Sequence, residues 1–379
     1  MRIVFAIHTL AHSGGTESYM TTVADQLQRA GHDVFIYSAE DGPTGETARG
    51  MGIRVVNSVR EIPEATDVFL VQDGIAALEL LDVRPEVPQV YNWHSELNDV
   101  QLPPQIEGVT RLIVTLHANA QRRIASLAVK PPVLRLTQPI DTKRFMSLQP
   151  LPNQPRKLLA LSNYLRGDRR EMLASACATA GIEFRQVGAH GDSVTETPEL
   201  EINAADIVVG KARVALEAMA CGRAVYVFDA FGGDGWITPS TYSEFEASCF
   251  AGNARRRHLN VEQLAAEFAE YDPSMGVANR DLVVEHHSAM RHAGELVEAI
   301  ERVLDEPRVT PPNDNAFELA RMARLKWRHE GTAVQLSEEI ARLREELHAA
   351  NTRMSAIEQS KRWRAATRLS RLAGRNRDV

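Results

Sequence analysis

The sequence lacks the features that mark several large classes of protein. Only three of its 379 residues are cysteine, at Cys177, Cys221 and Cys249, and no two are close in the chain. This argues against a disulfide framework or a zinc site and favours a reducing compartment. No apolar run approaches the roughly 20 residues that cross a bilayer. The N-terminal residues begin a strand pattern and lack a signal-peptide cleavage region, so we expect a cytoplasmic protein.

Two further absences argue against particular classes of ligand. The formal net charge is -7, which gives no general attraction for nucleic acid. No G-x-G-x-x-G motif occurs, so a nicotinamide dinucleotide is disfavoured. Asp234 and the three cysteines do not combine into a metal-binding pattern. The whole sequence is 44% hydrophobic and 25% charged, which is ordinary for a globular protein. Its length fits two domains with additional segments.

The first part of the chain alternates short apolar runs with helical patterns. Continuous apolar strands separated by helices predict a parallel sheet covered on both faces, and right-handed crossovers make it doubly wound. We assign this domain to residues 1–150. The predicted strands are 3–7, 34–37, 68–71, 89–91, 112–114 and 133–136.

A second α/β series follows a segment that contains three prolines in seven residues, 149–155, which we interpret as a linker. The second domain is assigned to residues 156–306, with a ligand cleft expected between the two domains. Its predicted strands are 158–161, 182–187, 207–209 and 224–228.

The C-terminal part has a different pattern. Residues 307–331 are interpreted as a linker and crossover helix, residues 332–360 as a coiled coil and residues 361–379 as a basic tail. The alternative for the helix is a solvated charged face without a partner, but the apolar spacing of four and three favours a parallel homodimer. The apolar positions are Leu336, Ile340, Leu343, Leu347, Ala350, Met354 and Ile357.

The most informative stretch is residues 205–239. We expect a buried strand, a turn at Gly210, a helix that contains Glu217, a second strand and a glycine-rich turn at Gly232 and Gly233. A carboxylate among apolar neighbours needs a partner, and a sugar hydroxyl offers one. The helix N-terminus after Gly210 favours phosphate.

This stretch, with its core EAMACG followed by valine, resembles the nucleotide-sugar-binding segment of retaining GT-B glycosyltransferases, in the family-4-like group of bacterial surface-polysaccharide enzymes. The resemblance covers about residues 1–305. It implies an α/β fold of the GT-B type, with two Rossmann-like doubly wound domains and a C-terminal helical coiled-coil extension. It also implies transfer of a hexosyl group, with retention, from a nucleoside-diphosphate sugar to a glycan or lipid-linked acceptor. The chain has no Asp-x-Asp triplet, which disfavours a metal, and the nucleotide sugar is the only cofactor-like molecule expected.

The resemblance assigns roles in the second domain. Glu217 would bind the ribose hydroxyls of the donor, although the first glutamate of the motif would fall at Val209 and is absent. Lys211 and Arg213 would favour the donor phosphates. The alternative for Glu217 is an ion pair with a nearby arginine. Gly232 and Gly233 would frame the donor pocket.

The resemblance also assigns roles on the other side of the cleft. Gly14 and Gly15 would let the diphosphate approach a helix N-terminus, and His94 would face the donor sugar, with Ser95 in place of the usual glycine. Arg166, followed by glycine, matches the cationic position that meets the diphosphate. The structural alternatives are a plain turn, a capping histidine and a solvated helix start. His8 and His12 lie near the first turn and are less favoured.

Two other functions stay open. The missing motif residues fit a GT-B-shaped pseudoenzyme that acts as a coiled-coil assembly subunit of a polysaccharide machine, and the same fold also serves sugar-nucleotide epimerases. The step from Ser360 to Arg364 resembles one that follows coiled coils in polysaccharide glycosyltransferases. Its tryptophan and arginines suit weak peripheral contact with an anionic membrane.

Overall fold

A computed structural model describes residues 1–11, 14–94, 99–116, 118, 120–229 and 232–359. The chain separates into two compact units, Met1–Ala320 and Arg321–Val379. His12, Ser95, Ser360 and the basic tail, all named above, lie outside the described residues. No helix in the described ranges is both long and apolar enough to cross a membrane.

The first half of the larger unit is a parallel sheet of seven strands in the order β3-β2-β1-β4-β5-β6-β7. Four helices connect the strands, and the central strands are fully buried because helices cover both faces of the sheet. This confirms the predicted doubly wound fold. The elements are β1 (Arg2–Ala6), α1 (Gly15–Arg29), β2 (Asp33–Tyr37), α2 (Pro43–Gly50), β3 (Arg54–Val56), β4 (Val68–Val71), α3 (Gly74–Val83), β5 (Gln89–Trp93), β6 (Thr110–Thr115), α4 (Ala120–Ala125) and β7 (Val133–Arg135).

The second half is a sheet of five strands in the order β12-β11-β10-β8-β9. All neighbouring pairs are parallel except β11 and β12. The elements are β8 (Lys157–Leu161), α5 (Gly167–Ala180), β9 (Glu183–Val187), α6 (Pro198–Asn203), β10 (Ile207–Gly210), α7 (Arg213–Ala220), β11 (Ala224–Asp229), β12 (Gly232–Trp236), α8 (Tyr242–Glu246), α9 (Val261–Phe268), α10 (Ser274–His286) and α11 (Ala289–Asp305).

Two predictions about local structure were wrong. Strand β3 is absent from the sequence analysis, because it has only three residues and begins with an exposed arginine. The expected glycine-rich turn at Gly232 and Gly233 is the antiparallel strand β12. A Cβ atom at Gly233 would lie 2.3 Å from the carbonyl oxygen of Val227, so the glycine is required by close strand pairing.

The chain crosses between the halves twice, and the two crossings are joined. The amide of Ile140 donates to the carbonyl of His287 at 2.8 Å, and the amide of Ala289 donates to the carbonyl of Ile140 at 3.1 Å. After the second crossing, α11 returns to the first half and buries Leu296 and Ile300 in the same apolar cluster as α1. The proline segment 149–155 packs instead on the second half, where the Tyr271 hydroxyl donates to Pro152.

Two buried histidines hold the first crossing. Nδ1 of His292 lies 2.9 Å from the carbonyl oxygen of Thr137, and Nδ1 of His287 lies 2.9 Å from that of Gln138. Because a carbonyl only accepts, each Nδ1 carries the proton and each Nε2 accepts from a tyrosine hydroxyl. Tyr19 of the first half bonds His292 at 2.9 Å. Tyr242 of the second half bonds His287 at 2.8 Å. We call these six groups the hinge clamp: the side chains of Tyr19, Tyr242, His287 and His292 and the carbonyls of Thr137 and Gln138.

The last helix, α12 (Ala316–Gln359), is 44 residues long. Its beginning is part of the larger unit, since Ala316 is buried against Leu81 and Val109. From Arg321 it belongs to the second unit, where the large apolar residues predicted from the heptad pattern are exposed and Ala350 is half-buried.

We predict that the hinge clamp makes the protein sensitive to acid. Burial lowers the pKa of His287 and of His292 to about 4, from an ordinary value of 6.5. The stabilisation is complete above pH 6.5 and is lost as the pH falls from 6.5 towards 4, since the unfolded chain binds more protons in that window. Each histidine contributes a loss of about 3 kcal/mol. Urea unfolding from pH 4 to pH 7 measures it.

His292→Asn keeps a donor for the Thr137 carbonyl but does not titrate. This variant should be less stable than the wild type at pH 7 and show a shallower loss in acid. His190→Asn, at an exposed site, is the control and should follow the wild type. Equal pH dependence in all three proteins would contradict the prediction.

Candidate functional site

Polar side chains collect at the C-terminal ends of three adjacent strands of the first sheet. His8 follows β1, Gln72 and Asp73 follow β4, and His94 follows β5. The sheet order places β1, β4 and β5 side by side. Ligands of open α/β sheets bind outside the carboxyl ends of the strands, so this edge is the natural place for a site. We call these four residues the edge cluster.

His94 is held in a defined orientation. The amide nitrogen of Gln72 donates to the Leu70 carbonyl at 3.0 Å, which leaves the Gln72 amide oxygen as an acceptor. That oxygen lies 2.7 Å from Nε2 of His94, so Nε2 carries a proton and donates to it. The ring of Tyr19 meets the His94 ring edge-on, with centroids 4.6 Å apart. The predicted site residue is therefore oriented by contacts from β4 and α1.

His8 and Asp73 form an imidazole–carboxylate pair that the sequence analysis ranked low. Nδ1 of His8 lies 3.2 Å from Oδ2 of Asp73, and Oδ1 accepts from the amides of Ile75 and Ala76 at 2.9 Å each, at the N-terminus of α3. Burial acts against both charges, but their attraction prevails: the pKa of His8 is raised and that of Asp73 is lowered. The signal was present, since a polar pair and a glycine directly follow the apolar run of β4.

The first turn of α1 lies at the same strand edge. Gly14 is the N-cap residue, and Glu17 lies in the first turn of the helix. A Cβ atom at Gly14 would lie 2.8 Å from Oε2 of Glu17, whereas one at Gly15 would meet no atom within 4 Å. The open space of the turn is therefore at Gly15, where an anion would meet helix amides beside the Glu17 carboxylate.

Arg166 is the N-cap residue of α5 in the second half, directly after the loop that follows β8. Its side chain is exposed, and the described residues provide no hydrogen bond or ion pair to it. Gly167 adopts φ of +55°, the left-handed region that glycine tolerates. The structure thus places a guanidinium at the start of a helix, which fits both the cationic position expected from the resemblance and the alternative of a solvated helix start.

Lys211 pairs with a buried carboxylate of its own domain. Its Nζ lies 2.6 Å from Oδ2 of Asp229, at the end of β11. The hydroxyl of Ser162 donates to the other oxygen of Asp229 at 3.0 Å. The ammonium also lies 4.9 Å from the ring centre of Tyr164, which is 64% exposed. Any phosphate at Lys211 would share it with Asp229.

Arg213 and Glu217 form a buried ion pair within α7. Nε of Arg213 donates to Oε1 of Glu217 at 2.8 Å, which matches the alternative given for Glu217 above. The other two nitrogens donate to the Pro139 carbonyl at 3.1 Å and to the Thr22 hydroxyl of α1 at 3.0 Å. Burial raises the pKa of Glu217, and Arg213 offsets this only in part. The pair therefore joins α7 to the first crossing and to the first half.

The turn between β10 and α7 is strained. Ala212 has φ of 50° and ψ of -127°, a conformation that favours glycine. Its amide donates to the Phe250 carbonyl at 2.7 Å, and Cys249 and Phe250 also have positive φ, of 51° and 55°. Such strain costs about 1–3 kcal/mol per residue and clusters at functional sites. It falls at the turn for which the sequence predicts phosphate binding.

The remaining predicted residues have structural explanations. Val209 is buried in β10, so the position of the missing motif glutamate lies within the sheet. A Cβ atom at Gly232 would lie 2.5 Å from the Arg257 carbonyl oxygen, and the Val227 carbonyl excludes a side chain at Gly233, as described above. Asp234 is fully buried and accepts from the amide of Arg255 at 2.7 Å. No group of three metal-binding side chains occurs among the described residues.

Comparison with known proteins shows the fold. No protein-family model and no curated protein sequence matches this chain. Among solved structures, a glycosyltransferase from Rickettsia africae has a TM-score of 0.61 at 12% identity, over 81% of this chain and 99% of its own. The Anabaena protein HepE, in complex with UDP-glucose, has a TM-score of 0.59 at 13% identity, over 80% and 100%. Sucrose-phosphate synthase from Thermosynechococcus elongatus has 0.53 at 14%, over 80% and 99%. The chain therefore has the GT-B fold.

The Arg213–Glu217 pair gives a testable stability effect. Glu217→Gln leaves the largely buried Arg213 guanidinium without a counter-charge. We therefore expect a loss of about 3 kcal/mol in the free energy of unfolding. Glu295→Gln breaks the exposed pair with Arg291, which has the same spacing of four, and should cost under about 0.5 kcal/mol. Urea denaturation measures both. Equal losses would show that the buried pair has no special structural weight.

Proposed function

We propose that this protein transfers a hexosyl group from a nucleoside-diphosphate sugar to a glycan or lipid-linked acceptor, with retention at the anomeric carbon. The observation that carries the proposal is the edge cluster. It places two histidines, an amide and a carboxylate at the carboxyl ends of adjacent strands, in a fold shared with glycosyltransferase structures. Apolar packing explains none of these four polar side chains.

The diphosphate of the donor is assigned to helix N-termini and to a positively charged side chain. The first turn of α1, with Gly14 at its N-cap and open space at Gly15, and the exposed Arg166 at the start of α5 are the groups that would meet the phosphate oxygens. HepE, which has the same fold, was crystallised with UDP-glucose. The proposal needs no divalent ion, because the guanidinium and the amides can stabilise the departing diphosphate.

The nucleoside is assigned to the second half. Arg213 donates to Oε1 of Glu217. In the proposal, Oε2 accepts a hydrogen bond from a ribose hydroxyl. Lys211 would meet a phosphate while still bound to Asp229. Gly232 and Gly233 remain near the donor pocket in the proposal only as parts of strand β12, since neighbouring backbone already fills the space above them.

His94 is the proposed catalytic residue on the sugar side. Its orientation by Gln72 suits a role in which the imidazole orients a sugar hydroxyl or supports positive charge on the ring. Such an interaction strengthens as charge develops in the transition state and therefore raises turnover more than affinity.

The pair His8 and Asp73 favours a second stereochemical outcome. An imidazole oriented by a carboxylate can take a proton from an attacking hydroxyl, and direct attack would invert the anomeric carbon. Asp73 accepts from amides and from His8, which makes it a poor nucleophile for a covalent route. Proton NMR of the first-formed product distinguishes the α from the β anomer and decides between the two outcomes.

Two other functions compete with transfer. A pseudoenzyme that serves as an assembly subunit would bind a nucleotide sugar without turnover, and the buried Val209 in place of the motif glutamate favours it. A sugar-nucleotide epimerase would convert the donor without an acceptor. Donor consumption with and without acceptor glycans separates all three.

The second unit completes the proposal. We propose that α12 forms a homodimer through its exposed apolar positions, and that the basic residues 361–379 give weak contact with the cytoplasmic face of a membrane. Dimerisation would present this tail twice and increase the attraction.

The proposed donor site predicts ligand-induced stabilisation. A matching nucleotide sugar at 100 times its dissociation constant should add about 2.7 kcal/mol to the free energy of unfolding, and a thermal-shift panel of nucleotide sugars measures it. Transfer should persist in EDTA. A panel without any stabilising nucleotide sugar contradicts the proposed function, and activity that EDTA abolishes and manganese restores contradicts its metal independence.

The role of His94 predicts a kinetic signature. His94→Gln should lower kcat at least about 100-fold, the scale of a single polar group acting in the transition state, while the KM for the donor changes little. His190→Gln, at an exposed site of the second half, is the control. A change in KM alone would assign His94 to binding and remove it from the chemical step.

A further inference from the structure

The apolar heptad positions of α12 from Leu336 to Ile357 form a stripe along the helix. This stripe and the charges beside it indicate which partner the helix binds. The heptad spacing places Ile340 at position a and Leu336 and Leu343 at position d. Position a with isoleucine and position d with leucine favour two-stranded coiled coils. These three side chains are 49–58% exposed, which is unusual for apolar residues at regular helical spacing.

The charges beside the stripe define the direction. In a parallel, in-register pair, each g position faces the e position five residues later on the other helix. Glu339 at position g then faces Arg344 at position e, and the two-fold axis repeats this contact. The sequence repeats the match at Arg353 and position 358, which is glutamate. Between them, Glu346 faces the neutral Asn351.

The antiparallel alternative is less favourable. A pair aligned on the middle of the stripe would bring g positions together and e positions together. Glu339 would then face Arg353, but Glu346 and Arg344 would each face their own copy, and the Glu339–Arg344 contacts would be lost. Like charges at facing positions are destabilising. Arg342 at position c already bridges Glu339 and Glu346 within one helix, at 2.5 Å each. Both glutamates are thereby held along the side of the stripe.

We infer that the partner of this stripe is a second copy of the chain, bound parallel and in register, with the Glu339–Arg344 contact selecting that arrangement. The inference rests on the proposed homodimer and adds its register and the contact that selects the parallel direction.

A charge-swap series in the full-length chain tests the contact. Glu339→Lys places like charges on both sides of the dimer and should raise the dissociation constant about tenfold in low salt, by sedimentation equilibrium. Adding Arg344→Glu recreates the pair with reversed sign and should restore the wild-type constant within about threefold. Lysine and glutamate have similar helix propensity, so helix content stays the same. Arg342→Gln removes the bridge within one helix but leaves the charges at positions e and g, so as the control it should change the dissociation constant far less than Glu339→Lys.

A cysteine scan tests the direction independently. Leu336→Cys should form a disulfide between copies under mild oxidation, because position 336 meets itself only in the parallel register. Ala341→Cys, on the outer side of the helix, should not. The native cysteines are buried and do not interfere. A dimer without rescue and without the 336 crosslink overturns the inference and leaves the homodimer. A full-length monomer at tens of micromolar overturns both, and the donor-binding panel remains a separate test of sugar transfer.

Discussion

The hinge clamp is the constraint on which the larger unit depends. Two successive carbonyls of one crossing segment are each held by a neutral histidine, and each histidine is held by a tyrosine from a different half. Together with the packing of α11 and the Arg213–Thr22 hydrogen bond, the clamp joins two halves that are built on separate sheets. A charged imidazole could not accept from the tyrosine in the same geometry, so burial and neutrality of the two rings are one requirement.

The candidate site depends on the same crossing. Tyr19 bonds the clamp through its hydroxyl and contacts His94 through its ring, and three residues further along α1, Thr22 receives Arg213 from the second half. One helix thus contacts the clamp, the edge cluster and the proposed nucleoside side. A change in the angle between the halves would act on all three together, which is how cleft enzymes couple closure to the alignment of reacting groups.

The sequence predicted what local pattern controls. Apolar runs located nearly every strand of both sheets, and the position of His94 and Arg166 at strand ends followed from chain order alone. The clamp could not be predicted, since Tyr19 and His292 are 273 residues apart. The identity of β12 failed for a related reason: its glycines are required by the neighbouring Val227 and Arg257 carbonyls, and a sequence shows glycine without showing what lies above it. The Arg213–Glu217 pair was foreseen only as an alternative, because spacing of four allows a pair but does not reveal burial.

The return of α11 to the first half has a consequence for synthesis on the ribosome. Residues of α11 fill one wall of the core that α1 and the first sheet begin, so this half is discontinuous in the chain. It stays incomplete while the whole second half is made, and at usual translation rates this interval is on the order of ten seconds. The second half lies wholly within that interval and has its own apolar clusters. The part of the protein that is synthesised first is therefore the part whose folding finishes last.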